Sequence, residues 1–252
     1  MRTGSMPEIG WVIHDRSGLV AKECREWSNR CGFQVNQTYV INNSEDYQLF
    51  EEIPGNNTAF EFSGYAQALD LMQGDGPFVL VNDSLFRHHW SRAWCIMLHR
   101  LLEDLWLCTQ DGKILGDLRR ESIEFPEKPS TYWASWIFVM SDRWALQRMR
   151  VALERVIQAE WSEPSPEYEH YVKKWLNKSW WRGGWQGNPT PTAIHRKRIS
   201  IRREHELSRI LLKEQRLTPY SIGHRQQVLY RITRWTDRMM ARYSAIRRKP
   251  HG

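Results

Sequence analysis

The sequence predicts an α/β protein with a mostly parallel central sheet and helices on both faces, and three observations carry that prediction. Short apolar or β-branched runs alternate with helical stretches through the first third of the chain, the rhythm of strands joined by crossover helices. The run Phe78-Val79-Leu80-Val81 is apolar at every position, as in a strand buried on both faces. Each early strand candidate stops at small polar residues: Asp15-Arg16-Ser17-Gly18, Asn42-Asn43-Ser44-Glu45-Asp46 and Asn82-Asp83-Ser84. Open α/β sheets place their ligand sites at the carboxyl ends of strands. The same residues also favour plain turns and helix caps, so Asn82-Asp83-Ser84 taken alone reads as either.

In order along the chain, residues 9–14 read as a first strand and 20–31 as a helix, with Cys24, Trp27 and Cys31 on one face and Gly32 as its stop. Residues 37–41 are β-branched and aromatic, a second strand. A short helix is expected over 47–53, then a Pro-Gly-Asn-Asn turn, then small residues leading into a helix after Phe60. The strand at Phe78 follows. Beyond it, 91–104 has a helical apolar face, 106–109 opens another strand, and 112–118 reads as loop because Gly112, Gly116 and Asp117 punctuate it. Residues 131–140 form the strongest later strand, with Ser141 and Asp142 placed to cap a helix over 143–160. Helices over 168–181 and 199–214 flank a Gly- and Trp-rich loop at 183–189.

The expected division is a main domain over 1–220 and a basic amphipathic C-terminal helix over 221–252. In that tail Leu229, Ile232, Trp235, Met239, Tyr243 and Ile246 recur every three or four residues among arginines. Such a helix lies on anionic lipid or docks on the protein body with its arginines in water. The net charge is +7, and the basic excess is concentrated after Arg196, which suits an anionic partner. Four cysteines show neither CxxC nor paired Cys/His spacing, so reduced thiols are expected. Residues 1–10 lack an apolar core and no stretch is long enough to span a bilayer, so the expected location is cytoplasmic, at most against the inner face of a membrane.

With the elements in this order, the sequence resembles nucleotide-sugar glycosyltransferases of the GT-A type, in particular bacterial enzymes of rhamnan and related surface-polysaccharide synthesis. The likeness runs from about Ile9 to Leu217 and rests on short motifs in sequence. Residues 39–46 resemble the second strand and its polar end, and residues 57–69 the small-residue helix entry near the nucleobase. Phe78 to Ser84 resembles the strand ending at a metal- and diphosphate-binding acid, Tyr132 to Trp144 a later acceptor-side strand, and Arg202 to Ser208 the helix whose first acid is the catalytic base. The glycine expected near Thr58-Ala59-Phe60 is absent, and only one carboxylate stands at Asn82-Asp83-Ser84.

What the resemblance implies is transfer of a sugar from a nucleotide-sugar donor to a polysaccharide, lipid-linked or other glycan acceptor, by inverting displacement. Glu204 is the implied base, with Glu206 as its alternative. Asn43, Asp46, Ser63, Gly64, Asn82, Asp83 and Ser84 are the implied donor contacts, and Trp133, Trp181 and Trp185 the acceptor contacts or lid. Mg²⁺ or Mn²⁺ on Asp83 is compatible with one aspartate because such ions share their coordination with substrate phosphates. The basic run His195-Arg196-Lys197-Arg198 is the other means of meeting a diphosphate. His88-His89 does not suit one ion, since adjacent residues point in different directions. The competing readings are a non-catalytic module of the same fold and a basic nucleic-acid-binding protein, with no nucleic-acid motif in support of the latter.

Overall fold

The computed structural model describes residues 6–31, 34–44, 52–84, 112–120, 128–160, 163–176, 190–214 and 218–219, with single positions 232, 235 and 239. In chain order these form β1 (Glu8–Ile13), α1 (Leu19–Cys31), β2 (Gln37–Asn42), β3 (Ile53–Pro54), α2 (Glu61–Leu71), β4 (Phe78–Asn82), β5 (Lys113–Arg120) and β6 (Thr131–Met140). There follow α3 (Arg143–Gln158), α4 (Pro166–Leu176), α5 (Pro191–Arg209) with a π-helical turn at Ile210–Glu214, and β7 (Thr218–Pro219).

The strands make one seven-stranded sheet in the order β3-β2-β1-β4-β6-β5-β7. Strands β3, β2, β1 and β4 pair in parallel, while β6 is antiparallel to both of its neighbours. The expected mostly parallel sheet is therefore what forms. The chain first steps outward from β1 to β2 and β3, then returns through α2 to β4 on the other side of β1. Connections leave β1 and β4 in opposite directions, so the carboxyl ends of these two strands flank a topological switch point.

Both faces of the sheet are covered, which is why β1, β4 and most of β6 are buried at every position. On one face Ala21, Cys24 and Trp27 of α1 pack against Trp11, Val79, Val81 and Val139. Trp27 meets Trp11 edge to face at 5.3 Å between centroids. On the other face α2, α3, α5 and the π-helical turn bury Phe62, Tyr65, Leu69, Leu146, Met149, Leu153, Leu207 and Leu211 against Val12, Leu80, Phe138 and Met140. Full burial of each large apolar side chain contributes roughly 1.5–3 kcal/mol. α2 lies directly on β1. A Cβ at Gly10 would come within 2.7 Å of Ala68, and one at Gly64 within 2.6 Å of Val12.

The structure corrects two expectations. Residues 112–118, read as loop, fall all but the first in strand β5 (Lys113–Arg120). Its punctuation reflects a bulge, because Gly116 opposes Phe138 while the next residue, Asp117, opposes Ala134. A Cβ at Gly116 would sit 2.7 Å from the Ile137 carbonyl oxygen, so glycine is required where the bulged strand closes in. Ile53, expected at the end of a helix, pairs instead with Ile41 in the short edge strand β3. The helix expected over 91–104 and the strand over 106–109 lie outside the described residues. The cap on α3 forms as expected, with Ala145 N donating to Asp142 Oδ1 at 2.9 Å.

Candidate functional site

The polar ends of β1, β2 and β4 converge at the switch point, and most of their side chains build the loops there. Asp15 caps α1: its carboxylate accepts from Ser17 N at 2.9 Å, Ser17 Oγ at 2.8 Å, Val20 N at 2.9 Å and Ala21 N at 3.1 Å. Burial pushes its pKa up, but the bonds from Ser17, Ala21 and Val20 together outweigh burial and hold it below the usual carboxylate range. Asn42 Oδ1 accepts from Asp15 N at 3.1 Å and Ser44 N at 3.0 Å, tying the ends of β1 and β2 together. Asn82 Oδ1 accepts from Ser84 N at 3.0 Å, and Asp83 N continues the ladder to Val12 O at 3.2 Å.

Two polar groups at this end do something different. Asn43 and Ser44 are 5% and 6% exposed. The Asn43 amide nitrogen donates to Phe60 O at 3.0 Å, yet among the described residues neither Asn43 Oδ1 nor Ser44 Oγ has a hydrogen-bond partner. Both line a groove of about 370 Å³ with Gly55, Asn57, Thr58, Phe60 and Arg196. Both unpartnered atoms are buried in the groove wall, and a buried polar atom without a partner is an exception that calls for an explanation. The groove wall is strained as well: Asn57 and Phe60 have φ of 48° and 57°, the latter an unusual conformation for an aromatic residue.

Beside the groove lies a polar cluster built around the β6 bulge. Because the bulge interrupts the ladder, Ser135 N donates to Glu204 Oε2 on α5 at 2.7 Å, and Trp133 N donates to Ser208 Oγ at 3.0 Å. Ser135 Oγ and Ser200 Oγ both donate to Glu61 Oε1, at 3.1 and 3.0 Å. The Tyr65 hydroxyl donates to Ser135 O at 2.6 Å. Tyr65 is driven well above its ordinary pKa by burial first, then by the charges of Glu61, Asp83 and Glu204, with Asn82 hydrogen bonding in the opposite sense. Two carboxylates, Glu61 and Glu204, thus share Ser135 with one buried phenol, and Asp83 acts on it electrostatically.

Glu204 is only partly covered as a residue, but its carboxylate is turned into this cluster. Burial raises its pKa, and Arg119, Lys197 and the Ser135 bonds pull the other way. Arg119 also donates to Asp117 Oδ2 at 3.1 Å, and Trp136 Nε1 reaches the same oxygen at 2.9 Å. A carboxylate raised by burial and steadied by cations is suited to accept a proton.

Of the residues singled out from sequence, Asn82, Asp83 and Glu204 each influence the Tyr65 hydroxyl, and Asn43 lies in the groove. Ser63 instead shapes α2, with Oγ donating to Phe60 O at 3.0 Å, and Gly64 serves the contact of α2 with β1. Ser84 follows the Asn82 turn. Glu206 is held by Arg209 through bonds of 2.8 and 2.6 Å. Trp133 belongs to the core at 1% exposure, a placement that leaves no face for an acceptor and corrects the expectation made for it. Asp46, Trp181, Trp185, His88 and His89 lie outside the described residues. Sequence reasoning missed Glu61, Tyr65, Asp117, Arg119, Ser135 and Ser200. Only Glu61 carried a signal, as the acid in the first turn of a helix.

For a divalent cation, Asp83 is a single anchor. Both oxygens of Asp15 on the neighbouring strand are committed to the α1 cap, and no group of three His, Cys, Asp or Glu with metal-binding geometry occurs among the described residues. The residues present fit an ion that shares Asp83 with a ligand's phosphates, and no fuller cage. Compared with known proteins, the chain matches no family model, no curated protein and no solved structure.

Proposed function

We propose that the protein is a nucleotide-sugar glycosyltransferase of the GT-A type, moving a sugar to a glycan or lipid-linked acceptor by inverting displacement. The observation that carries this reading is the pairing, at one switch point, of a polar groove holding unsatisfied Asn43 and Ser44 with the pKa-raised carboxylate of Glu204. In this reading Asn43 and Ser44 receive the hydroxyl- and amide-bearing part of the donor. Asp83 stands at the diphosphate, with Mg²⁺ or Mn²⁺ as its partner if one is bound. That ion would supply electrostatic stabilisation of the leaving diphosphate. Glu204 takes the proton of the acceptor hydroxyl as its oxygen bonds to the anomeric carbon. The bond from that carbon to the diphosphate oxygen breaks, and its electron pair leaves on the nucleoside diphosphate.

A lipid-linked acceptor is supported by the tail. Ile232, Trp235 and Met239 are helical, spaced on one face, and exposed by 54%, 62% and 46%. Arg231, Arg234 and Arg238 each immediately precede one of them in sequence, the composition of a helix that lies on anionic lipid. Among the described residues no helix is long and apolar enough to cross a membrane.

The test is release of nucleoside diphosphate from a panel of nucleotide sugars offered with glycan and lipid-linked acceptors. Glu204→Gln should lower turnover by about 10²-fold or more while leaving donor binding intact. Unchanged turnover in that variant removes Glu204 as base. Donor binding without turnover favours the non-catalytic module, and salt-sensitive binding of DNA or RNA in place of donor favours the nucleic-acid reading.

A further inference from the structure

The basic face of α5 makes a distinct contribution to this cleft. Arg196, Ser200 and Arg203 follow one another at four- and three-residue steps, so they share a side of the helix. That side faces the groove and the start of α2: Arg196 lines the groove, Ser200 donates to Glu61, and the Arg203 guanidinium lies over the Phe60 ring at 5.5 Å. Phe60 lines the groove together with Arg196, so Arg203 reaches the groove through its contact with that ring. Among the described residues neither arginine forms a salt bridge, whereas the nearby Arg198 pairs with Glu169 and Arg209 with Glu206. Arg203 Nε is buried and has no hydrogen-bond partner. Burial pushes the guanidinium below its ordinary pKa and Glu61 offsets this only in part, so its counter-charge is incomplete.

Charge placement around the cleft is also asymmetric. Glu61, Asp83 and Glu204 all act electrostatically on the buried Tyr65 hydroxyl, whereas α5 presents Arg196 to the groove. An anionic ligand in the groove is attracted to the α5 wall. A guanidinium also offers a planar pair of donors matched to phosphate oxygens.

We propose that Arg196 and Arg203 of α5 form a diphosphate subsite on the wall of the groove, able to hold the pyrophosphoryl group of a ligand without a metal ion. This rests on the nucleotide-sugar reading for its choice of ligand, but the arginine geometry stands independently of any sugar transfer. The ligand's hydroxyl-bearing part sits against Asn43 and Ser44, and its phosphates lie across Phe60 against the arginines. Glu204, on the same helix, keeps its carboxylate on Ser135, whose hydroxyl also holds Glu61. In this arrangement Asp83 is a neighbour of the diphosphate and not its principal counter-charge.

The experiment is calorimetric titration of the full chain with inorganic pyrophosphate and with a panel of nucleoside diphosphates, in excess EDTA and again with Mg²⁺. Binding should persist in EDTA and weaken about tenfold or more in Arg196→Gln and in Arg203→Gln, the loss expected for a hydrogen bond to a charged group. Arg203→Lys should recover part of the loss, because it restores the charge and not the fork. Arg148→Gln is the control, since Arg148 lies on α3 over Trp144. Melting temperatures establish that each variant is folded. Because Arg196 is exposed, its variant keeps the test decisive if Arg203→Gln does not fold. Binding that appears only with Mg²⁺, affinity unchanged in both arginine variants, or equal weakening in Arg148→Gln would each overturn the proposal. Arginine-dependent pyrophosphate binding in a protein that turns over no nucleotide sugar would uphold this subsite and sink the transferase reading. Turnover with Mg²⁺-dependent, arginine-independent binding would do the reverse.

Discussion

Acidification should unfold this protein through one histidine. His205 on α5 is 1% exposed and sits among Tyr132 of β6 and Tyr168 and Tyr171 of α4, with Lys128 buried beside the same rings. Its Nδ1 meets the Tyr168 hydroxyl at 2.8 Å. Burial, then Lys128 and Arg119, press its pKa from 6.5 down to about 3. Between those two values the unfolded chain carries a proton that the folded protein refuses. Stability therefore rises with pH there, by about 1.4 kcal/mol per pH unit for one group. The contribution is intact above pH 6.5 and begins to be lost as pH falls through it. By pH 5 it has cost about 2 kcal/mol, or about 4–8 °C in melting temperature for a chain of this size. Glu204 works in the opposite sense, because a raised carboxyl pKa makes the folded state the better proton binder over its own window. The assay is urea unfolding of the full chain at pH 7, 6 and 5, repeated for His205→Gln, which keeps an acceptor for Tyr168, and for Glu204→Gln. The histidine variant should lose most of the pH dependence between 7 and 5. If its slope equals that of the parent, His205 is not held neutral and the reasoning fails.

Other outcomes follow from particular contacts. Gly116→Ala places a methyl 2.7 Å from the Ile137 carbonyl and 3.0 Å from the Trp133 ring. It should cost about 2 kcal/mol in chemical denaturation, the range for forced overpacking. Gly55→Ala should cost about 1–3 kcal/mol of stability and weaken nucleoside diphosphate binding about tenfold, because its Cβ would overlap Asn43 Oδ1 and displace the buried amide from Phe60 O. Parental affinity in that variant would mean the amide is not part of the binding surface. Asp15→Ala removes the oxygens that cap α1 and should lower stability by about 1–2 kcal/mol with no change in metal dependence. Vesicles containing anionic lipid should retain the protein at low salt, and Ser at Ile232, Trp235 and Met239 together should release it. Equal retention of that triple variant would leave charge alone as the cause.

The parts of the fold legible in the sequence were those whose signal is local. Phe78–Asn82 and Thr131–Met140 are strands because their side chains are buried on both faces, and such runs announce themselves in one dimension. β5 was hidden for the opposite reason. Gly116 and Asp117 look like loop residues, and only pairing with β6 reveals them as the glycine and the acid a bulge needs. The site divided in the same way. Asn43 and Asp83 were found because they end strands, and Glu204 because a motif resembled one. The cluster joining them was not readable: Glu61 and Ser200, which share a hydrogen bond, are 139 residues apart. Trp133 shows the converse error. An aromatic side chain in a buried strand is core unless something else places it in a cleft, and nothing in the sequence did.

Glu204 has a structural duty at the same atoms to which the proposed function assigns the proton transfer. The β6 bulge strips Ser135 of its ladder partner, and an N–H left buried without an acceptor costs about 1–3 kcal/mol. Glu204 Oε2 fills that need. A carboxylate that serves structure alone would be held low by such a bond, as Asp15 is held low by its cap. Glu204 is instead raised, because its burial outweighs the Ser135 bonds and the charges of Arg119 and Lys197. Asp15 accepts from three backbone N–H groups and a hydroxyl whereas Glu204 accepts from Ser135 N, so the bonds outweigh burial in the first and not in the second. Ser135 therefore orients Glu204 without neutralising its basicity, while Ser135 Oγ and Ser200 tether Glu61 on the far side of the same bulge. A strand irregularity that merely repaired itself would need one acceptor. This one brings two carboxylates and a buried tyrosine onto Ser135, with Arg119 acting on Glu204, and so the bulge is the element on which the proposed site depends.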